Sequence, residues 1–169
     1  MSHVANEVVV YGGNGVCKIS EIKKISFFHE PPKPYYILEP MFSKQSSVLY
    51  VPLDNEVMVS RIRPVLNRDE AIELLDNIKN IAALWYEDRN ERKEMFSKII
   101  AGGNREDILG LIKAVVNHRE KLSLEGKRLN MQDEKALNEA ESRISAEFAV
   151  ALDMNPDEVP EYLATKLEA

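Results

Sequence analysis

The sequence predicts an α+β protein in two parts: a small antiparallel β barrel over residues 1–66 and an all-helical domain of about five helices over residues 67–169. Three observations predict it. Short runs of β-branched and aromatic residues, separated by Gly- and Pro-containing turns, fill the first part. Helical spacing takes over at Asn67. Strands and helices do not alternate, which argues against a parallel α/β sheet.

Val8 to Tyr11 is the first run of strand formers. Gly12-Gly13-Asn14-Gly15 follows and supplies positive-φ turn positions. It lacks the spacing of a phosphate-binding loop and leads into no helix, so it reads as a hairpin turn. Val16 to Phe28 is a second strand region, with partial alternation at Lys18–Ile22. Glu30-Pro31-Pro32-Lys33-Pro34 reads as a loop. Tyr35–Glu39, stopped by Pro40, and Ser47–Val51, ending at Pro52, are further strands. Asp54-Asn55 reads as a turn, and Val57-Met58-Val59 leads to a fifth strand at Arg61–Pro64.

Asn67 with Glu70 three residues on is a capping-box pattern. Ala71, Leu74, Leu75, Ile78, Ile81 and Ala82 continue it at helical spacing. A second helix is expected from about Asp88 to Ala101, ended by Gly102-Gly103. Asn104 and Asn130 cap a third and a fourth, with a connection near Gly126 between them. Asn155-Pro156 starts a short fifth helix reaching Leu167.

Composition narrows the function. The net charge is −6, with 22 basic and 28 acidic residues, which excludes a protein that coats nucleic acid by bulk electrostatics. The acidity is local: residues 130–169 hold 10 acidic and 3 basic side chains, whereas residues 67–129 hold 12 of each. No run approaches a membrane span, and no signal peptide is expected. The single cysteine, Cys17, reads as a buried structural thiol and fits a reducing cytoplasm. His3, His29 and His118 are scattered, so neither a metal site nor another cofactor is expected. The acidic side chains fall beside Lys and Arg at helical spacing, as on a solvated face. No catalytic residue set emerges, and the chain is expected not to be an enzyme.

Trp85 is the one tryptophan. Arg89, Arg92 and Lys93 follow it at spacings that share a helical face. A flat apolar ring beside cations has the make-up of a group that wedges at DNA base steps while the cations hold phosphates. On pattern alone the plainer reading is stronger: a tryptophan completing the core where two helices meet. Glu87, Asp88, Glu91 and Glu94 dilute the basic patch.

Taken in order, these motifs resemble a known family. Val8-Val9-Val10-Tyr11 followed by Asn14-Gly15-Val16 is similar to the "VVYPxHGVG" opening of the bacterial CarD/CdnL transcription regulators, with Gly12-Gly13-Asn14 replacing Pro-x-His. Tyr35-Tyr36-Ile37-Leu38 resembles their "YYVL" strand, and Tyr50 to Asn55 resembles "xVPxDN". Val59 to Arg63 resembles the "GxR" strand, and Trp85 stands where the family's tryptophan stands. The pattern Phe96-x-x-Ile99-Ile100-x-Gly102-x-x-Arg105 is also similar. The resemblance spans essentially the whole chain.

It implies a Tudor-like, SH3-like barrel, shared with transcription-repair coupling factor, that binds the β subunit of RNA polymerase by strand pairing. Carried over by position, the polymerase-binding residues are Ile25 and Phe27, with Lys23 and Lys24 beside them, and Tyr50 with Val51. The family often has arginine at the positions of Ile25 and Tyr50, so the interface here is expected to be more apolar or to use another residue. It further implies that Trp85 enters the minor groove at the upstream edge of the melted promoter, with Arg89, Arg92 and Lys93 as phosphate contacts. Binding to DNA would be weak and polymerase-dependent, and no membrane or small-molecule substrate is implied. The family's basic residues directly after the tryptophan are replaced by Tyr86-Glu87-Asp88. The rival expectation is a polymerase-bound protein–protein adaptor whose helical half never meets DNA.

Overall fold

The computed structural model describes residues 3–42 and 47–168, and the chain divides into two compact units, Met1–Val65 and Leu66–Ala169. The boundary falls one residue earlier than the sequence reading put it. Leu66 is buried among the apolar side chains of the helical unit, and its N–H donates to Glu147 Oε1 at 3.2 Å.

The first unit is a five-stranded antiparallel sheet in the order β4-β3-β2-β1-β5. Its strands are β1 (Val8–Tyr11), β2 (Val16–Ile25), β3 (Lys33–Pro40), β4 (Leu49–Pro52) and β5 (Ile62–Pro64). Val9, Cys17, Ile19, Tyr36, Leu38, Val51 and Ile62 bury a single core to which every strand contributes. A sheet that shares one core among all its strands must curl, and the register records how. Ile19 pairs with Leu38 but Glu21 pairs with Ile37, so Ser20 is an extra residue, a β-bulge that bends β2. Its hydroxyl donates to the Ile37 carbonyl at 3.2 Å.

Two local expectations are corrected. Pro34 lies inside β3, paired with Lys24, and not in a loop. Proline lacks a donor but keeps an acceptor, and the Pro34 carbonyl takes the Leu53 N–H at 3.1 Å. Val57-Met58-Val59 does not lead in as a strand but forms a short helix, α1 (Glu56–Ser60), which packs on β4 and β5. Asn55 caps it by accepting the Met58 N–H at 3.1 Å, and that cap outweighs the β-branched composition. At the Gly12–Asn14 turn, Gly12 and Gly15 both take positive φ, and Tyr11 N–H reaches Gly15 O at 3.0 Å.

The second unit holds α2 (Arg68–Asp76), α3 (Arg89–Gly102), α4 (Arg105–Leu124), α5 (Met131–Leu152) and α6 (Val159–Glu168). Asn67 and Glu70 form the full capping box, and Asp88, Asn104 and Asn130 cap α3, α4 and α5. Phe96, Leu109, Leu111, Val115, Ile144, Phe148 and Val159 are at the centre of the core. The first helix is shorter than its apolar spacing predicts. After Asp76 a single 3-10 turn spans Ile78–Asn80, and residues 81–88 are irregular. No helix among the described residues is long and apolar enough to cross a membrane.

Candidate functional sites

The irregular segment 81–88 carries Trp85 and is lashed to α4. Leu84 N–H donates to Gly110 O at 3.1 Å, and Lys113 Nζ reaches the carbonyls of Lys79 and Ile81, each at 2.8 Å. Gly110 permits the approach. A Cβ there would lie 2.7 Å from the Ala82 carbonyl oxygen and 3.0 Å from Leu84 Cγ. Side chains at this position are excluded by backbone, so the glycine fixes how close the segment runs to the helix.

Trp85 itself is half-buried against the helical core and is not sealed within it. Its indole stacks on His118 of α4, with ring centroids 4.1 Å apart and an interplanar angle of 29°. Phe96 meets it edge-on at 6.4 Å. The Arg92 guanidinium lies over the ring, with Cζ 4.5 Å from the centroid.

Arg92 does not do what its sequence neighbourhood suggests. It is buried, and its fork grips Asp133 of α5 with both carboxylate oxygens, Nε to Oδ1 at 2.8 Å and Nη2 to Oδ2 at 3.0 Å. Its Nη1 donates to the carbonyls of Tyr86 at 3.0 Å and Glu87 at 3.3 Å. The guanidinium is therefore spent inside the protein, and its expected role as a phosphate contact is withdrawn. The reason was visible in the spacing. Arg92 precedes Phe96 by four and Ile99 by seven, which puts it on the inner face of α3. Its partner Asp133 lies 41 residues away, beyond the reach of local pattern.

Arg89 and Lys93 are exposed. The Arg89 carbonyl accepts from Gln132 Nε2 at 3.1 Å, which ties the start of α3 to the start of α5. Lys93 borders a groove of about 840 Å³ between α3 and α5, whose walls include Met131, Lys135 and Arg143 but also Glu134 and Glu139. Of the three cations singled out, only Arg92 lies against the indole, and only Arg89 and Lys93 are exposed.

In the β unit, the structure gathers most of the residues singled out for a protein partner. Phe27 is the hub of an aromatic group on the face turned away from the core. Phe27 meets Tyr35 at 5.3 Å and Tyr50 at 5.5 Å, both edge-on. Tyr50 is 44% exposed, and Phe27 and Ile25 are partly exposed. Lys23 stands directly across from Tyr35, and Ile25 across from Lys33, on this same face. Lys24 is exposed on the opposite face of the strand. Val51 is corrected: it is wholly buried in the sheet core, so its side chain cannot meet a partner. Strand alternation sends Tyr50 outward and Val51 inward. Sequence reasoning missed Tyr35 as a member of this face, although it neighbours inward-facing Tyr36 in β3 and strand alternation sends it to the other side.

Cys17 is wholly buried in β2, and no cluster of His, Cys, Asp or Glu among the described residues could hold a metal ion.

Residues 4–65 match the family model described as the CarD-like/TRCF RID domain, and the first unit is a CarD-like RNA-polymerase-interaction module. The match ends where the helical unit begins. No curated protein matches the chain.

Proposed function

From a chain that opens with a CarD-like polymerase-interaction module, we propose a transcription regulator, a binding protein and not an enzyme, that docks on the RNA polymerase β subunit and stabilises the open promoter complex through Trp85. The β unit supplies the grip through Phe27, Tyr50 and Ile25, with Tyr35 packed behind Phe27 and Lys23 at the rim. Docking raises the local concentration of a helical unit whose own attraction for DNA is weak. Trp85 then packs at the upstream edge of the melted region, where strained base steps accept a wedge that intact duplex resists. Arg89 and Lys93 hold the flanking phosphates.

The observation that carries this reading is the setting of the indole. It reaches solvent, yet it is braced by groups from more than one helix: His118 of α4, and Arg92 of α3 locked to Asp133 of α5. A core tryptophan needs no such exposure, and a flexible surface tryptophan has no such bracing. A protein that binds the open complex better than the closed one shifts their balance by that difference, and about 1.4 kcal/mol gives tenfold.

The competing reading is a polymerase-bound adaptor that makes no DNA contact. Photocrosslinking from position 85, with polymerase and promoter both present, separates the two. Adducts on the upstream strands near the bubble are expected. Adducts confined to protein would favour the adaptor.

A further inference from the structure

We infer that His118 is the positioning residue that makes Trp85 able to act as a wedge, and this inference rests on the reading of Trp85 given above. Inserting a ring at a base step costs a few kcal/mol of unstacking, which the wedge must withstand without turning aside. An indole on an irregular segment has no stiffness of its own. Working groups are held in position by neighbours whose own geometry is fixed.

His118 meets that need. It projects from α4, a 20-residue helix whose inner face, Leu111, Ile112, Ala114 and Val115, is buried. Its ring stacks on the indole at 4.1 Å, the shortest ring–ring approach described in the molecule. The segment bearing Trp85 is fastened to the same helix by the Leu84–Gly110 and Lys113 hydrogen bonds. Backbone and side chain are therefore referenced to a single rigid element. Arg92 lies over the ring from α3 and fixes the Tyr86 and Glu87 carbonyls beyond it. The arginine holds the segment's far end, and the histidine holds the ring. Nothing in the local sequence links residues 85 and 118, and the role is read from their packing.

The test compares full-length wild type with His118→Ala, His118→Phe and Trp85→Ala, measuring open-complex lifetime with polymerase and promoter. Because Trp85 is the sole tryptophan, its emission reports its own packing in each variant that retains it. His118→Ala should shorten the lifetime several-fold relative to wild type and shift the emission to the red, with polymerase binding unchanged. His118→Phe restores a flat ring and should recover both signals. If His118→Ala behaves as wild type while Trp85→Ala shortens the lifetime, the inference is overturned and the wedge reading stands. Should His118→Phe recover the emission but not the lifetime, stacking is not what His118 contributes, and the inference again fails. If Trp85→Ala has no effect, the wedge reading itself falls and takes the inference with it.

Discussion

At the scale of single residues, the Arg92–Asp133 pair decides more than its neighbours. Both side chains are over nine-tenths buried, and each guanidinium nitrogen donates to a protein oxygen. Such pairs add little over a well-packed apolar replacement, but breaking one leaves a charge buried alone at a cost of about 3–5 kcal/mol. Asp133→Ala should therefore lower the unfolding free energy by about that amount in urea denaturation. A change under about 1 kcal/mol would mean that the pair is solvated. Glu141 makes a pH-dependent counterpart. Burial raises its pKa above the ordinary 4.5, with Arg119 partly opposing the rise. A carboxyl raised on folding binds its proton more tightly in the native state. Its stabilising contribution is therefore largest below the unfolded pKa and is lost as pH rises through the folded one. Glu141→Gln should gain most over wild type near pH 7, and the gain should shrink as pH falls toward about 4. Thermal midpoints across that range would measure it, and a gain that did not vary with pH would contradict the assignment.

At the scale of elements, the segment between α2 and α3 is where sequence and structure part. Apolar residues continue at helical spacing through Ile81 and Ala82, yet the helix stops at Asp76. Periodicity reports which side chains face a core, and an extended segment laid along α4 can bury side chains too. What fixes the segment is tertiary: the Gly110 contact and the bonds from Lys113. Gly110→Ala tests this. In an exposed helix the change would stabilise by about 1 kcal/mol. Here the added carbon meets a carbonyl at 2.7 Å, so the variant should be destabilised by about 1–3 kcal/mol, with the Trp85 emission altered. A stabilised variant with native emission would show that the Gly110 contact does not set the position of the segment. By contrast the caps at Asn67, Asn104 and Asn130 were legible, because each acts within three residues. Order and type of strands were legible for the same reason. The α1 helix was not, since Val57 and Val59 favour a strand and only the Asn55 side chain tips the balance. Of the candidate site, Trp85 was singled out by its residue type and its basic neighbours, and Phe27 and Tyr50 only by their position in the family resemblance. The inward turns of Arg92 and Val51 follow from helix and strand periods that their charged or aromatic neighbours masked.

At the scale of the whole molecule, each unit has its own core, and the side chains nominated for polymerase and for DNA fall in different units. That division makes the two activities separable by mutation. Phe27 and Tyr50 meet edge-on at the partly exposed end of the aromatic group, whereas Tyr35 is buried beneath them. Truncating both exposed rings should strip the apolar part of the docking face and leave the core of the sheet intact. Interfaces draw most of their strength from a few such rings, with losses of about 2 kcal/mol or more each. Phe27→Ala with Tyr50→Ala should therefore weaken binding to polymerase by at least about tenfold and abolish the promoter effect with it. Trp85→Ala should leave polymerase binding intact and remove the promoter effect alone. The net charge of −6, concentrated after residue 129, sharpens the contrast, because the helical unit has little electrostatic pull toward free duplex. With polymerase absent, wild type should show no measurable retention of promoter duplex at physiological salt. A Trp85 variant that lost polymerase as well, or a ring-truncated variant that still stabilised open complexes, would mean that the two units do not divide the work in this way.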